Sequence, residues 1–362
     1  MMDNLKRKVN IFENTPVPGE DRMKMDTMRW LDDYIGSTLC FILTILIKTY
    51  DVLTLKTFRT KKPLSAQTIN NILFIKFFGM GSIILASPVI KAVKEKYPQA
   101  RIFFMTFASN QEILELLDVG DVHLFIRRNT IFAFSLDIAN ALIKLNMARI
   151  DLAFDLEFFS RFTVILLLLS GAKVRIGYFL RKVWRGNFLT HQIYFNHFKH
   201  ITRGFSAILE PLGIDEKCIA MPVINMNGDK VPSMDEIARK HKLPLNNKDA
   251  GIICMNVNSS ELSIDRRWPK ENFSHLAQRL LKHSDKIFLV FIGSASEREY
   301  VQSVISSIEN DRDRTVNLSG EISLKELVVL FVHSKMLITS DSGPLHLASA
   351  SQTPTVSLFG PE

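Results

Sequence analysis

The sequence predicts an α/β protein built from two Rossmann-like domains in tandem. Two observations carry this expectation. Short, near-continuous apolar runs alternate with helical patterns, as parallel strands covered on both faces require. That rhythm is heard twice, on either side of a polar, turn-rich stretch at 225–250 that reads as a linker. A chain of 362 residues can bury two cores of ordinary size, and 47% hydrophobic with 23% charged residues is a globular composition.

In the first half, "ILFIKFF" (72–78), "RIFFMTF" (101–107), "VHLFIRR" (122–128), "IDLAFDLE" (150–157) and "KVRIGY" (173–178) read as strands. Helical patterns fall between them, for example at 88–96 and 158–169. The run "FTVILLLLSG" is too short to span a bilayer and reads as a buried helix ending at Gly171. In the second half, strands are expected at 251–257, 286–293, 314–318, 335–340 and 355–359, and "SLKE" at 323–326 matches a capping box. The expected organisation is an N-terminal segment at 1–68, one domain at 69–230 and another at 231–362.

The N-terminal segment contains "WLDDYIGSTLCFILTILIKTYDVLTLKTFRTKK", uncharged from 34 to 47 and followed by Lys48, Lys56, Arg59, Lys61 and Lys62. It falls short of the roughly 20 apolar residues a spanning helix needs. An interfacial or re-entrant helix, its basic residues meeting anionic headgroups, is the favoured reading. The alternative is a helix packed on the protein or in a dimer. The net charge of +8 points to anionic partners, and with no nucleic-acid-binding signature these are phosphorylated substrates or an acidic membrane surface. Cys40, Cys218 and Cys254 lie far apart, which fits a reducing cytoplasm.

In such sheets ligands sit beyond the carboxyl ends of strands, so the loops after strands are the candidates for chemistry. In "KFFGMGSIILASP" (76–88), Gly79 and Gly81 let the backbone turn and approach a ligand. Ile84 stands where a dinucleotide fingerprint has its third glycine, so an NAD-linked oxidoreductase is disfavoured. Asp155 and Glu157 leave a strand towards the crevice, either as a general base or as N-terminal caps of the next helix. In "NVNSSELSIDRRWPKENF" (256–273), Asn258, Ser259 and Ser260 can bond phosphate oxygens, and Arg266 and Arg267 offer guanidinium forks; the alternative is a solvated basic loop. Glu297 in "FIGSASEREY" can bond a nucleoside hydroxyl or complement a helix dipole.

The remaining loop is "SDSGPLHLAS", where Pro344 pre-sets a helical turn and leaves amides around Ser342 and Gly343 to meet an anion, with Asp341 and His346 beside them. His197 and His200 lie one turn apart without a third ligand and read as basic aromatic surface. Asp311 and Asp313 read as solvated charge, so no metal site is expected.

Together these motifs resemble glycosyltransferase family 9, the ADP-heptose:lipopolysaccharide heptosyltransferases. The resemblance runs from about Asn71 to the last residue, through "DLEFFSR…GAKVRIGY", "RRWPKENFSHLA", "GSASERE" and "SDSGPLHLASASQTPTVSLFGP". It implies a GT-B fold, with an acceptor domain and a nucleotide-sugar domain facing across a cleft. It also implies inverting, metal-independent transfer with no cofactor beyond the nucleotide-diphosphate sugar. By resemblance, Arg266, Glu297, Asp341, Ser342, Gly343 and His346 are donor-site positions.

Two departures stand out. The family has a Gly-Asp pair in the first loop, its Asp proposed as the base; here the pair is Gly81-Ser82, and a serine hydroxyl alone is too weak a base. Glu157 is the candidate substitute. Family members also continue beyond "FGP", so a fragment is expected. The resulting expectation is a glycosyltransferase peripheral to the cytoplasmic membrane, moving a sugar such as a heptose to a lipopolysaccharide or other lipid-linked surface glycan. The alternative is an inactive homologue that binds nucleotide sugar or glycan.

Overall fold

A computed structural model of the chain describes residues 28, 30, 32–54, 68–180, 183–215, 222–224, 231–243, 251–259 and 267–360. The chain divides into two compact units, Met1–Met221 and Pro222–Glu362.

The first unit is built on six strands: β1 (Asn71–Ile75), β2 (Arg101–Phe107), β3 (Val122–Ile126), β4 (Leu152–Asp155), β5 (Val174–Phe179) and β6 (His191–Tyr194). Every neighbouring pair is parallel, in the order β3-β2-β1-β4-β5-β6. Both faces of β1 are covered, which is why its sequence is apolar without alternation: Leu73 and Ile75 join one core cluster while Ile72 and Phe74 are fully buried as well. Phe74 stands directly across from Phe154 of β4, and the two rings stack at 4.7 Å, worth about 0.5–1.5 kcal/mol beyond burial.

The helices of this unit are α1 (Ser37–Thr54), α2 (Met80–Lys96), α3 (Gln111–Leu117), α4 (Ile131–Ala148), α5 (Arg161–Leu169) and α6 (Ile201–Ala207). Helix α2 begins at Met80, well before the expected start at 88, and carries Pro88 inside it. Proline has no N–H for the Ile84 carbonyl. The Ser87 hydroxyl donates to that carbonyl instead, at 2.8 Å. The stretch 191–200, expected as basic aromatic surface, supplies edge strand β6, whose Ile193 turns inward.

Asp32, just ahead of α1, accepts hydrogen bonds from the backbone amides of Arg161 (3.0 Å) and Phe162 (2.8 Å) and from the Ser160 hydroxyl (2.9 Å). It thereby caps α5 from the far end of the sequence. The N-terminal segment is tied to the unit at this point, with Asp33 paired to Arg161 at 2.8 Å.

The second unit has five strands, β7 (Gly251–Asn256), β8 (Ile287–Phe291), β9 (Thr315–Asn317), β10 (Met336–Ser340) and β11 (Thr355–Leu358). They pair in parallel in the order β11-β10-β7-β8-β9. Its helices are α7 (Met234–His241), α8 (Lys270–His283), α9 (Arg298–Ser306), α10 (Leu324–His333) and α11 (Gly343–Ala350). Helix α7 lies inside the stretch read as linker. A capping box of Ser233 and Glu236 starts it, and Ile237 and Ala238 are buried. The expected capping box of Ser323 and Glu326 is present at the start of α10.

In both sheets the strand order reverses beside the first strand: between β1 and β4 in one, between β7 and β10 in the other. Chains leave in opposite directions at such a point and open a crevice at the carboxyl ends of the strands.

Two carboxylates tie the frame together. Burial pushes the Asp151 carboxyl up, but Lys173 at 2.7 Å and the amides of Asn70 and Asn71 outweigh it and hold the group below the ordinary range. In the second unit burial is likewise outweighed at Glu326, by Lys240 and Ser323. A depressed native pKa stabilises the fold above the unfolded-state value and loses that stabilisation as pH falls through the native one. The urea midpoint is therefore expected to hold down to about pH 5 and to drop below about pH 4. Asp151→Asn with Glu326→Gln should flatten that drop, as read by urea titrations across this range.

Candidate functional site

The crevice of the second unit is lined by the residues with which its strands end. Asn256 closes β7, and its Nδ2 donates to the Ser342 hydroxyl at 2.7 Å and the Thr339 hydroxyl at 2.9 Å. This side chain therefore spans the reversal point between β7 and β10 and fixes the turn at Ser342. Ser342 is extended and N-caps α11, while its hydroxyl also donates to the Ser340 carbonyl at 3.1 Å. Gly343, Pro344, Leu345 and His346, the first turn of α11, are half-buried, as is Asp341. Helix-start amides and the positive dipole end face the carboxyl edge of the sheet at this point.

Beside them, Asn258 and Ser259 are buried after β7. Asn258 Nδ2 reaches the Ile292 carbonyl at 3.4 Å, tying the end of β7 to the end of β8. Gly293 follows β8, where an added Cβ would lie 2.8 Å from Asn258 Nδ2, 3.1 Å from Ser319 Oγ and 3.2 Å from Glu297 Oε2. Three polar groups from three different loops thus converge on one bare glycine. Asn258 Oδ1, Ser319 Oγ and Ser340 Oγ are buried without a hydrogen-bond partner among the described residues. Buried polar atoms left unpaired in this way ask for a ligand or water.

Glu297 sits at the rim. Its Oε2 accepts from the Ser294 amide at 2.7 Å and the Ser294 hydroxyl at 2.8 Å, so the helix-start role is realised. Arg267 lays its guanidinium over the Tyr300 ring, 4.2 Å from the centroid. That stacking occupies the guanidinium face and leaves in-plane N–H donors, of which Nε is buried without a hydrogen-bond partner among the described residues. Arg266 and Ser260 lie outside the described residues.

In the first unit, the loop after β1 turns at Gly79, whose φ of 81° is open to glycine at little cost. Helix α2 then starts, with Gly81 buried and Ser82 half-buried in its first turn. The two candidate bases are committed internally. Glu157 Oε1 accepts from Lys76 Nζ and from the amides of Phe77 and Phe78, each at 2.8 Å. Lys76 Nζ also donates to the Phe78 carbonyl at 2.6 Å. A carboxylate oxygen that accepts from a buried ammonium and two amides is a clamp on the glycine loop.

Asp155 is fully buried against Arg185 and also accepts from the Thr163 hydroxyl and the Glu157 amide, both at 3.0 Å. Burial pushes its carboxyl up and Arg185 opposes it. Both acids expected at the strand exit, as base or as cap, are thus engaged with groups of the first unit. Strand order places β4 beside β1, where backbone amides and Lys76 reach Glu157 first.

Asn256, Ser319 and Arg185 were missed by sequence reasoning. A legible signal existed for Asn256, an amide closing the otherwise apolar strand "GIICMN". His200 N-caps α6 through its ring and Thr202, while the His197 ring packs 4.1 Å from Phe198. Asp311 pairs with Arg314 at 3.0 Å. Among the described residues, no group of three or more His, Cys, Asp or Glu is placed to hold a metal ion.

Comparison with known proteins bears on this geometry. The family model "Glycosyltransferase family 9 (heptosyltransferase)" matches residues 163–362. Lipopolysaccharide heptosyltransferase 2 of Salmonella typhimurium is 31% identical over 103 residues, which cover 28% of this chain and 29% of that protein. Lipopolysaccharide heptosyltransferase 3 of Escherichia coli K12 is 26% identical over 287 residues, covering 77% of this chain and 79% of the relative. The solved ADP-heptose lps heptosyltransferase II of E. coli superposes with a TM-score of 0.66 at 20% identity, over 81% of this chain and 85% of that one. At that identity the likeness establishes the fold, and the two parallel sheets are those of the GT-B class.

Proposed function

This chain belongs to glycosyltransferase family 9, and we propose that it transfers heptose from ADP-heptose to a lipopolysaccharide or other lipid-linked surface glycan. One observation carries the reading most directly. The reversal point of the second sheet gathers a helix start, a fixed Ser342 turn and unpaired buried polar atoms from separate loops. That arrangement suits a diphosphate with an attached nucleoside.

In this reading the diphosphate lies against Ser342, Gly343 and the first amides of α11, with Asp341 and His346 contacting the sugar side and Arg266 neutralising phosphate charge. Asn258, Ser259 and Glu297 hold the nucleoside end. The acceptor oxygen bonds to the anomeric carbon as its O–H proton passes to solvent water. The C–O bond to the diphosphate breaks with its electron pair leaving on ADP, and configuration inverts. Positioning and charge neutralisation supply most of the rate, so the step requires no metal. Glu157 acts by holding the Gly79 loop through Lys76, and the hydroxyl of Ser82 occupies the position of the family's acid. The protein works at the cytoplasmic membrane surface, where its acceptor is anchored.

Ser82 favours a second reading, a homologue that binds nucleotide sugar without turning it over. One assay separates the two: ADP-heptose with a heptose-deficient lipopolysaccharide acceptor, scored for ADP release, alongside thermal shift with ADP. Transfer together with stabilisation is expected. Stabilisation without ADP release would establish the second reading, and neither response would dispose of both. Glu157→Gln in the same assay is expected to retain measurable turnover, because the amide oxygen still receives the loop amides.

A further inference from the structure

Helices α1 and α4 both lean on α5. The Phe134 ring of α4 sits 5.5 Å from that of Phe162. At the foot of α1, a Cβ on Gly36 would lie 3.1 Å from Arg161 Cβ. All three helices feed one core cluster on the same face of the first sheet. Helix α5 is the inner one, buried throughout 163–167.

A helix that covers a core in water is polar on its outer side. These two are not. Helix α1 buries Cys40 and Thr44 and turns Leu39, Ile42 and Leu46 outward, the last 58% exposed. Helix α4 buries Ala141 and Leu145 and turns Phe132, Leu136, Ile143 and Met147 outward, with Phe132 and Met147 each 78% exposed. Helix α4 is long and apolar enough to cross a bilayer. Its connectivity forbids that: it joins β3 to β4 of one sheet, and its inner residues are fully buried, so it lies along the sheet.

Charge identifies the occupant. No charge occurs from 34 to 47, and the acid of α4, Asp137, is buried against Arg127 at 2.8 Å. The remaining charges on these helices are Lys48 and Lys144, with Arg149 at the end of α4, against Asp51. Asp32 and Asp33 ahead of α1 are engaged at the start of α5, and in sequence Lys56, Arg59, Lys61 and Lys62 follow α1. Exposed Trp30 and Tyr34, their rings 5.3 Å apart, lie just ahead of α1. Apolar stripes edged by cations and by amphipathic aromatic rings match an anionic lipid surface. A second copy would bring two faces of the same positive sign together.

We propose that α1 and α4 form one docking surface that lies in the plane of an anionic bilayer, both outer stripes seated at the headgroup–acyl boundary. This deepens the membrane placement proposed above and rests on that placement, not on the sugar chemistry. The second helix is the new element: the N-terminal segment does not dock alone.

The test is co-sedimentation of the full chain with phosphatidylcholine vesicles, plain or containing roughly one-third phosphatidylglycerol. Wild type is expected to bind the anionic vesicles and to be weakened by about 0.5 M salt. Phe132→Gln with Met147→Gln, both on exposed positions, should lower partitioning about ten-fold or more at an unchanged thermal midpoint. A Met147→Trp reporter should shift its emission to the blue on anionic vesicles. Wild-type binding by the double variant, or an unshifted reporter, would overturn the two-helix surface. So would light scattering that shows a dimer abolished by the double variant with no vesicle binding at all. Transfer to a water-soluble acceptor fragment is expected to be unchanged in the double variant, so failure here is distinct from failure of the transferase reading.

Discussion

Arg185→Met is expected to destabilise the first unit by about 3–5 kcal/mol, because it strands a buried carboxylate. The Arg185 guanidinium is buried and paired with the fully buried Asp155. It also donates to the Ser160 carbonyl at 2.8 Å, the Glu157 carbonyl at 3.1 Å and the Thr163 hydroxyl at 3.1 Å. Methionine fills similar space but satisfies none of these acceptors. The double variant Asp155→Leu, Arg185→Met removes the orphaned charge and should recover much of the loss, since buried pairs replaced together by apolar groups are often near neutral. Urea titrations of the two single variants and the double variant give the coupling directly. A single-variant loss under about 1 kcal/mol would show that the pair contributes no more than an exposed salt bridge.

Gly293→Ala is expected to weaken ADP binding by about 10- to 100-fold, or roughly 1.4–2.8 kcal/mol. The new Cβ would stand 2.8 Å from Asn258 Nδ2, closer than real contacts allow, with Ser319 Oγ and Glu297 Oε2 only slightly further away. Asn258 must swing, breaking its bond to the Ile292 carbonyl and moving a polar group proposed to meet the nucleoside. Overpacking of one methyl at the edge of the core costs about 1–3 kcal/mol of stability, so binding must be compared at a temperature where both proteins are folded. Calorimetric titration with ADP is the measurement. Unchanged affinity in a folded variant would remove the β8 loop from the donor site.

The strands were legible because parallel strands covered on both faces are written as unbroken apolar runs, and the loops because each run stops at a polar residue or glycine. The stretch "SDSGPLHLAS" was legible as a helix start for the same local reasons, a proline in the first turn after an apolar strand. Helix α2 was shortened in the reading because Pro88 looks like a beginning, and only the Ser87 hydroxyl explains how the helix runs through it. Strand β6 was missed because "HQIYFNHFKH" alternates too weakly, with Ile193 its single inward residue. The stacking of Arg267 on Tyr300 was not legible, because nothing in its own segment announces that ring.

From the sequence alone came the class of fold, the places where each sheet could open to a ligand, and the family. Those depend on local patterns: apolar runs, glycines, caps and short motifs. What tertiary structure decided is which polar and apolar groups remain available. Glu157 was assigned to Lys76 and two amides, and Asp32 to the start of α5, because strand order brings together groups remote in sequence. The outer stripes of α1 and α4 likewise became a surface only once α5 had taken the inner place, since a helix apolar on every side does not itself specify which side is buried.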